Sequence, residues 1–173
     1  FPVNFWGDLS AQSPLFRSKF NYYREYAHTT QATLFKTEEM HGVIELSANY
    51  DKTTYFENTG EGNFKIHELP LQTQMAPINS ILSTDVDGDN NIDLLMIGNN
   101  YGNEVFVGRY DAFNGGVLKG DGNGDFEFVN TLNSGFNVPG DAKDMVSVKN
   151  ASGGNSFIIV SQNRGELKVF QKN

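Results

Sequence analysis

The 173-residue sequence contains no cysteine, which excludes disulfide bonds and a cysteine nucleophile. Basic residues are also scarce, with 13 lysines and arginines against 21 aspartates and glutamates. The resulting net charge of −8 argues against a nucleic-acid partner, because nucleic-acid-binding proteins present a basic surface. No stretch approaches the roughly 20 apolar residues of a membrane-spanning helix. The chain is nevertheless long enough, and with 14 Phe and 7 Tyr apolar enough, to form one domain with a packed core.

Residues typical of catalytic sites are scattered along the sequence. The histidines at 28, 41 and 67 match no metal-binding pattern, and there is no Gly-x-Ser-x-Gly nucleophile elbow. The glycine-rich segment Gly120–Gly124 lies between two strand-like runs, so we interpret it as a hairpin turn rather than a phosphate-binding loop. Polar clusters at 109–111 and 140–144 are assigned structural roles. We therefore predict no catalytic residues and no enzymatic activity for this chain.

The most informative segment runs from Asp85 to Asp93, where four aspartates fall within nine residues. Carboxylates so close together repel one another even in water. A calcium ion, which takes about six to eight oxygen ligands, would relieve that repulsion. We predict that Ca²⁺ is bound by the side chains of Asp85, Asp87, Asp89 and Asp93 and by the backbone carbonyl of Asn91.

Other interpretations of this segment fit less well. Magnesium tends to keep its waters and is rarely enclosed by four carboxylates. An EF-hand requires glycine at the sixth loop position and glutamate at the twelfth, and these positions are Asn90 and Met96. The following run, Leu94–Ile97, predicts a buried strand rather than a helix. A solvated acidic turn without metal is the remaining alternative.

Two regions of the chain differ in periodicity. Residues 9–40 have helical spacing, with Ser13-Pro14 marking a helix start and a second short helix from about Thr30. From residue 42 onward, short apolar runs separated by glycine-rich turns predict strands, at 43–46, 54–57, 64–69, 78–84, 93–98, 117–119, 126–129, 142–148, 157–162 and 165–170. We predict a helical N-terminal segment over 1–41 and a mainly β region over 42–173.

Parts of the β region correspond to each other. The turn at 60–64 matches the turn at 122–126, and residues 81–99 align without gaps on 145–163, an offset of 64 positions. The acidic residues are lost in the second copy, at 149–157. A repeat of about sixty residues indicates a solenoid, a propeller or an array, in which one copy would hold metal.

The segment Asp85–Leu95 resembles the calcium loop of FG-GAP/VCBS repeats, found in integrin α-subunit propellers and in many large bacterial surface proteins. The turn Asn58–Phe64 resembles the Asn-x-Gly-x-Gly-x-Phe hairpin that those repeats often carry. The resemblance covers about residues 42–173 and implies a mainly β fold of about two to three antiparallel β-propeller blades. It also implies calcium as the cofactor, with ligand roles for Asp85, Asp87, Asp89, Asn91 and Asp93.

The function implied by the resemblance is a calcium-stabilised binding or adhesion scaffold. Its setting would be a secreted, periplasmic or outer-membrane-associated surface protein of a bacterium, with this chain as the C-terminal blades. Since propellers have about four to eight blades, we expect the remaining blades of a longer chain, or self-association, beside an unknown protein or glycan ligand. The alternative is a non-catalytic part of a propeller enzyme acting on extracellular polysaccharide. A weak second metal site at Asp121 and Asp125 stays open.

Overall fold

The computed structural model describes residues 4–150 and 156–171. The chain divides into two compact units, residues 1–49 and residues 50–173. The second unit is built from three antiparallel sheets, so the predicted mainly β class is confirmed.

The first unit consists of short helices. They are α1 (Trp6–Gln12), α2 (Pro14–Arg17), α3 (Tyr23–Ala27), α4 (Gln31–Leu34) and a 3₁₀ turn at Thr37–Met40. Pro14 opens α2 and Thr30 precedes α4, as the sequence predicts. The helical pattern is interrupted because the Glu25 carboxylate accepts hydrogen bonds from the backbone N–H groups of Asn21 and Tyr22, which caps a new helix at α3. Within the described residues, no helix is long and apolar enough to cross a membrane.

The described residues of the second unit form nine strands. They are β1 (Thr54–Gly60), β2 (Asn63–Glu68), β3 (Ile78–Thr84), β4 (Asp93–Gly98), β5 (Gly116–Gly120), β6 (Phe126–Val129), β7 (Ala142–Val148), β8 (Phe157–Gln162) and β9 (Lys168–Gln171). Their order is β1-β2 in the first sheet, β3-β4-β5-β6 in the second and β7-β8-β9 in the third. A 3₁₀ turn at Leu71–Gln74 precedes β3, and the one-turn helix α5 (Thr131–Ser134) follows β6.

One predicted strand, at 43–46, is wrong, and the strand predicted at 165–170 begins only at Lys168. Residues 43–46 form no strand, and the side chains of Ile44 and Leu46 are 82% and 88% exposed. The run is apolar enough for a strand, but no strand among the described residues pairs with it. Its backbone groups therefore gain no inter-strand hydrogen bonds, and an isolated strand is not stable in water.

The pairs β3–β4 and β7–β8 share one register, as predicted from the gapless alignment. Thr84 pairs with Asp93, and 64 positions later Val148 pairs with Phe157. Both pairs also carry a register shift at the same place, between Ile78 and Ser80 and between Ala142 and Asp144. The predicted turns are confirmed too, since the glycines at 60, 62, 122 and 124 have positive φ.

Strand β4 is buried on both faces. Leu95 and Ile97 belong to a core cluster shared with residues of the third sheet, such as Met145 and Val160. Met96, on the opposite face, packs in a second cluster with Leu118. Side chains alternate between the faces of a strand, so a strand with two buried faces has an uninterrupted apolar sequence. This burial fixes β4 and therefore the position of Asp93 at its start.

Asn99, directly after β4, joins the second and third sheets. Its side chain is fully buried and its backbone has φ of +80°. The amide nitrogen donates to the carbonyls of Phe113 (2.6 Å) and Gly140 (2.8 Å), and the amide oxygen accepts from the Phe113 N–H. A single side chain thus links the end of β4 to the segment that leads into β7.

Candidate metal centre

The acidic segment forms the loop between β3 and β4. The Asp85 carboxylate accepts hydrogen bonds from the backbone N–H groups of Gly88 (2.6 Å) and Asn90 (3.1 Å). The Asp89 carboxylate accepts from the Asn91 N–H at 2.8 Å. These short-range bonds are typical of Asx turns, and they coil the loop so that alternate side chains face one point.

Three of the predicted ligands converge. Asp85, Asp87 and Asp89 can each place one carboxylate oxygen so that these oxygens lie within 4.8 Å of one another. Asp85 is half-buried, and Asp87 and Asp89 are exposed. A donor set made only of carboxylate oxygens is of the type that calcium prefers. The residues therefore fit a hard divalent cation.

Asp93 lies outside this triad and has a different environment. It is 1% exposed. One carboxylate oxygen accepts from the Val86 N–H at 2.8 Å and the other from the Gly120 N–H at 2.9 Å. Asp93 therefore ties the beginning of the loop to the end of β5. Each carboxylate oxygen has a further lone pair, and its role as a calcium ligand stays a prediction.

Asn91 lies where the loop meets the turn between β5 and β6. A Cβ atom at Gly122 would overlap the side-chain amide oxygen of Asn91, and Gly122 has φ of +77°. Glycine at 122 suits the positive φ of the turn and leaves room for the Asn91 side chain. The calcium role of the Asn91 carbonyl stays a prediction.

The sequence did not point to Lys119, which reaches into the loop from β5. Its ammonium contacts the Asp87 carboxylate and lies 3.1 Å from a carboxylate oxygen of Asp89. These two carboxylates raise the pKa of Lys119 above its ordinary value. The Asn91 backbone N–H and then Lys119 lower the pKa of Asp89. The pairing of Leu94 with Leu118 brings Lys119 beside Asp93, so a predicted β4–β5 pairing would have found it.

Asp121 and Asp125 belong to the neighbouring β5–β6 turn. The Asp121 carboxylate accepts from the backbone N–H groups of Asn123 (2.8 Å) and Asp125 (3.1 Å), and the bond from Asn123 lowers the pKa of Asp121. In the part of the chain that the structure describes, these two residues belong to no group of three metal-ligating side chains. Asp121 acts here as the acceptor that closes the turn.

The polar cluster at 140–144 contains an ion pair between the buried Asp141 carboxylate and the partly exposed Lys143 ammonium. Asp141 is 2% exposed, with the Lys143 ammonium at 2.6 Å and the Asn163 amide at 3.0 Å. In the polar cluster at 109–111, the guanidinium of Arg109 lies 4.7 Å from the ring centre of Tyr101. His67 contacts the Glu57 carboxylate at 2.8 Å. Each of these titratable groups has a structural partner.

Of the second copy of the loop, at 149–157, the structure describes only residues 149–150 and 156–157. Residues 151–155 lie outside the described residues, so the predicted absence of metal there stays a prediction. Comparisons of the chain with protein-family models, with curated proteins and with solved structures found no match. The functional interpretation therefore depends on the acidic loop and the sheets around it.

Proposed function

We propose that this chain is a calcium-stabilised segment of β-propeller blades that serves as a binding or adhesion scaffold in a secreted or cell-surface bacterial protein. The observation that carries the proposal is the convergence of Asp85, Asp87 and Asp89 within 4.8 Å at the β3–β4 junction. Calcium bound there would hold together the ends of two neighbouring strands.

The loop is suited to a structural ion. Its far end is fixed by the two hydrogen bonds of Asp93, one of which reaches β5. Its near end carries the three converging carboxylates, whose mutual repulsion a divalent cation would cancel. An ion bound only by the folded state at a hundred times its dissociation constant stabilises that state by about 2.7 kcal/mol.

The strand order supports the propeller part of the proposal. The sheet β3-β4-β5-β6 has the four antiparallel strands of a propeller blade. The sheet β7-β8-β9 matches the first three of them, and the hairpin β1–β2 matches β5–β6 in its turn. One complete blade and parts of two others would account for all nine strands. Further blades, from additional repeats or from other copies, would complete a ring.

The neighbouring sheets are joined as adjacent blades would be. The Asn79 amide donates to the Ala142 carbonyl at 2.7 Å, and the Ser80 hydroxyl donates to the Asp144 carboxylate at 3.0 Å. Ser80 and Asp144 are 64 positions apart, the offset of the sequence correspondence. Equivalent positions of two copies therefore meet at the contact.

A scaffold is favoured over an enzyme because three of the buried or half-buried acid and base candidates have structural partners. Asp93 binds backbone N–H groups, Asp141 is paired with Lys143, and His67 is paired with Glu57. A catalytic base or nucleophile needs access to a substrate. The enzyme alternative would require catalytic residues from other parts of a larger protein.

Thermal unfolding in EDTA and in excess calcium, combined with calorimetric titration, tests the calcium site. We expect calcium to raise the melting temperature by about 5–10 °C, the shift that about 2.7 kcal/mol produces in a chain of this size. Asp87→Ala should abolish most of this shift. Asp111→Ala removes an exposed aspartate outside the loop and should preserve it. Identical melting temperatures with and without calcium, and no heat of binding, would refute the proposal.

A further inference from the structure

The Lys119 ammonium contacts two of the three carboxylates that would bind a calcium ion. It touches Asp87 and lies 3.1 Å from Asp89. Calcium binds carboxylate oxygens at about 2.3–2.6 Å, so an ion bound to the same oxygens would lie only a few Å from the ammonium. Two cations at that distance repel each other strongly, and one of them has to leave.

Lys119 has a second partner within reach. In the β5–β6 pair it lies directly opposite Glu127, and directly opposed residues in an antiparallel pair share a face with Cβ atoms about 4.5–5.5 Å apart. Both side chains are exposed, and both line a groove together with Asp89 and Asp121. The flexible four-carbon stem of lysine allows the ammonium to move between the loop and Glu127.

We propose that Lys119 is a built-in competitor of calcium. When calcium is scarce, its ammonium neutralises the loop carboxylates and keeps the loop folded. When calcium binds, the ammonium moves to Glu127. The inference rests on the calcium site proposed above, and it makes Lys119 the residue that sets the calcium concentration at which the loop fills.

Lys119→Met tests the competition through two effects of opposite sign. Without the ammonium, calcium should bind at least about threefold more tightly, since two partly exposed ion pairs no longer have to be broken. In EDTA the same variant should melt at a lower temperature than the wild type, because the carboxylates lose their counter-charge. Lys149→Met is the matched control: it makes the same change in net charge at an exposed position after β7 and should change neither quantity.

Two further measurements test the movement of the side chain. In acetylation footprinting of the wild type, Lys119 should react faster in calcium than in EDTA, whereas Lys149 should react equally in both. Glu127→Gln should weaken calcium binding, because the displaced ammonium loses its second partner. The footprinting uses the wild type, so it tests the movement even where Lys119→Met does not fold.

The outcomes separate this inference from the site on which it rests. A wild-type chain that binds no calcium overturns the calcium site, and with it the competition. A wild-type chain that binds calcium, with Lys119→Met unchanged or weaker in affinity, overturns the competition alone. Equal labelling of Lys119 with and without calcium, in a chain that binds calcium, also overturns it.

Discussion

Asp93 should stabilise the fold even when no metal is present. The prediction concerns Asp93→Ala in the presence of EDTA, where any role as a calcium ligand is removed. The substitution leaves two backbone N–H groups without their acceptor, that of Val86 and the buried one of Gly120.

The expected loss follows from these two bonds. A hydrogen bond to a charged group contributes about 1.5–3 kcal/mol, and a buried donor left unpaired loses its hydration as well. Two such bonds correspond to about 3–6 kcal/mol. Total unfolding free energies are about 5–15 kcal/mol, so the variant should unfold at a much lower denaturant concentration. Asp89→Ala, which removes an exposed carboxylate of the same loop, should cost far less in EDTA.

Urea unfolding is the assay, and the probe has to report on the second unit. The single tryptophan, Trp6, lies in the first unit, so its fluorescence does not serve. The methyl resonance of Met96 is a suitable probe, because this side chain is fully buried beside β5. An Asp93→Ala variant as stable as the wild type in EDTA, but unresponsive to calcium, would show that Asp93 is only a ligand and would refute this reasoning.

Two further predictions concern the surroundings of the loop. Burial opposes ionisation of Asp141, but Lys143 and Asn163 outweigh it and hold the pKa of Asp141 below its ordinary value. The ionised Asp141 therefore stabilises the folded state fully above about pH 4, and this stabilisation is lost as pH falls through the lower pKa of the folded state. Lys143→Met should raise that pKa and move acid unfolding, followed by circular dichroism, to higher pH; an unchanged acid midpoint would contradict this. Gly120→Ala should destabilise the second unit by about 1–3 kcal/mol, because its Cβ would overlap the Ile92 carbonyl oxygen. Gly102→Ala, with only an Asn100 side-chain oxygen at 3.4 Å, is the control, and equal melting temperatures for the two variants would contradict the prediction.

Strands β4, β7 and β8 were predicted from patterns that carry long-range information. β4 has the uninterrupted apolar run of a strand buried on both faces, and β7–β8 could be placed by its alignment with β3–β4. The error at 43–46 has the opposite cause. An apolar run shows that a segment is able to form a strand, but not whether another strand lies beside it.

Only the site residues that lie close together in the sequence could be predicted to converge. Asp85, Asp87 and Asp89 are grouped by the loop's own turns, so their spacing was sufficient to bring them together. Lys119 enters through the pairing of β4 with β5, across a connection that includes Asn99 and Phe113, and short-range patterns do not contain that pairing. The backbone bonds of Asp93 depend on the same pairing, because one of them comes from Gly120.

The buried Asn99 side chain has a consequence for the order in which the chain can become ordered during synthesis. Its amide is satisfied only when the Gly140 carbonyl is in place, and Gly140 emerges from the ribosome after all four strands of the second sheet. Until then one N–H of the Asn99 amide lacks the acceptor that it has in the complete structure. We expect the nascent second sheet to stay open around Asn99 until the segment leading to β7 arrives, so that the two sheets gain protection from hydrogen exchange in one step.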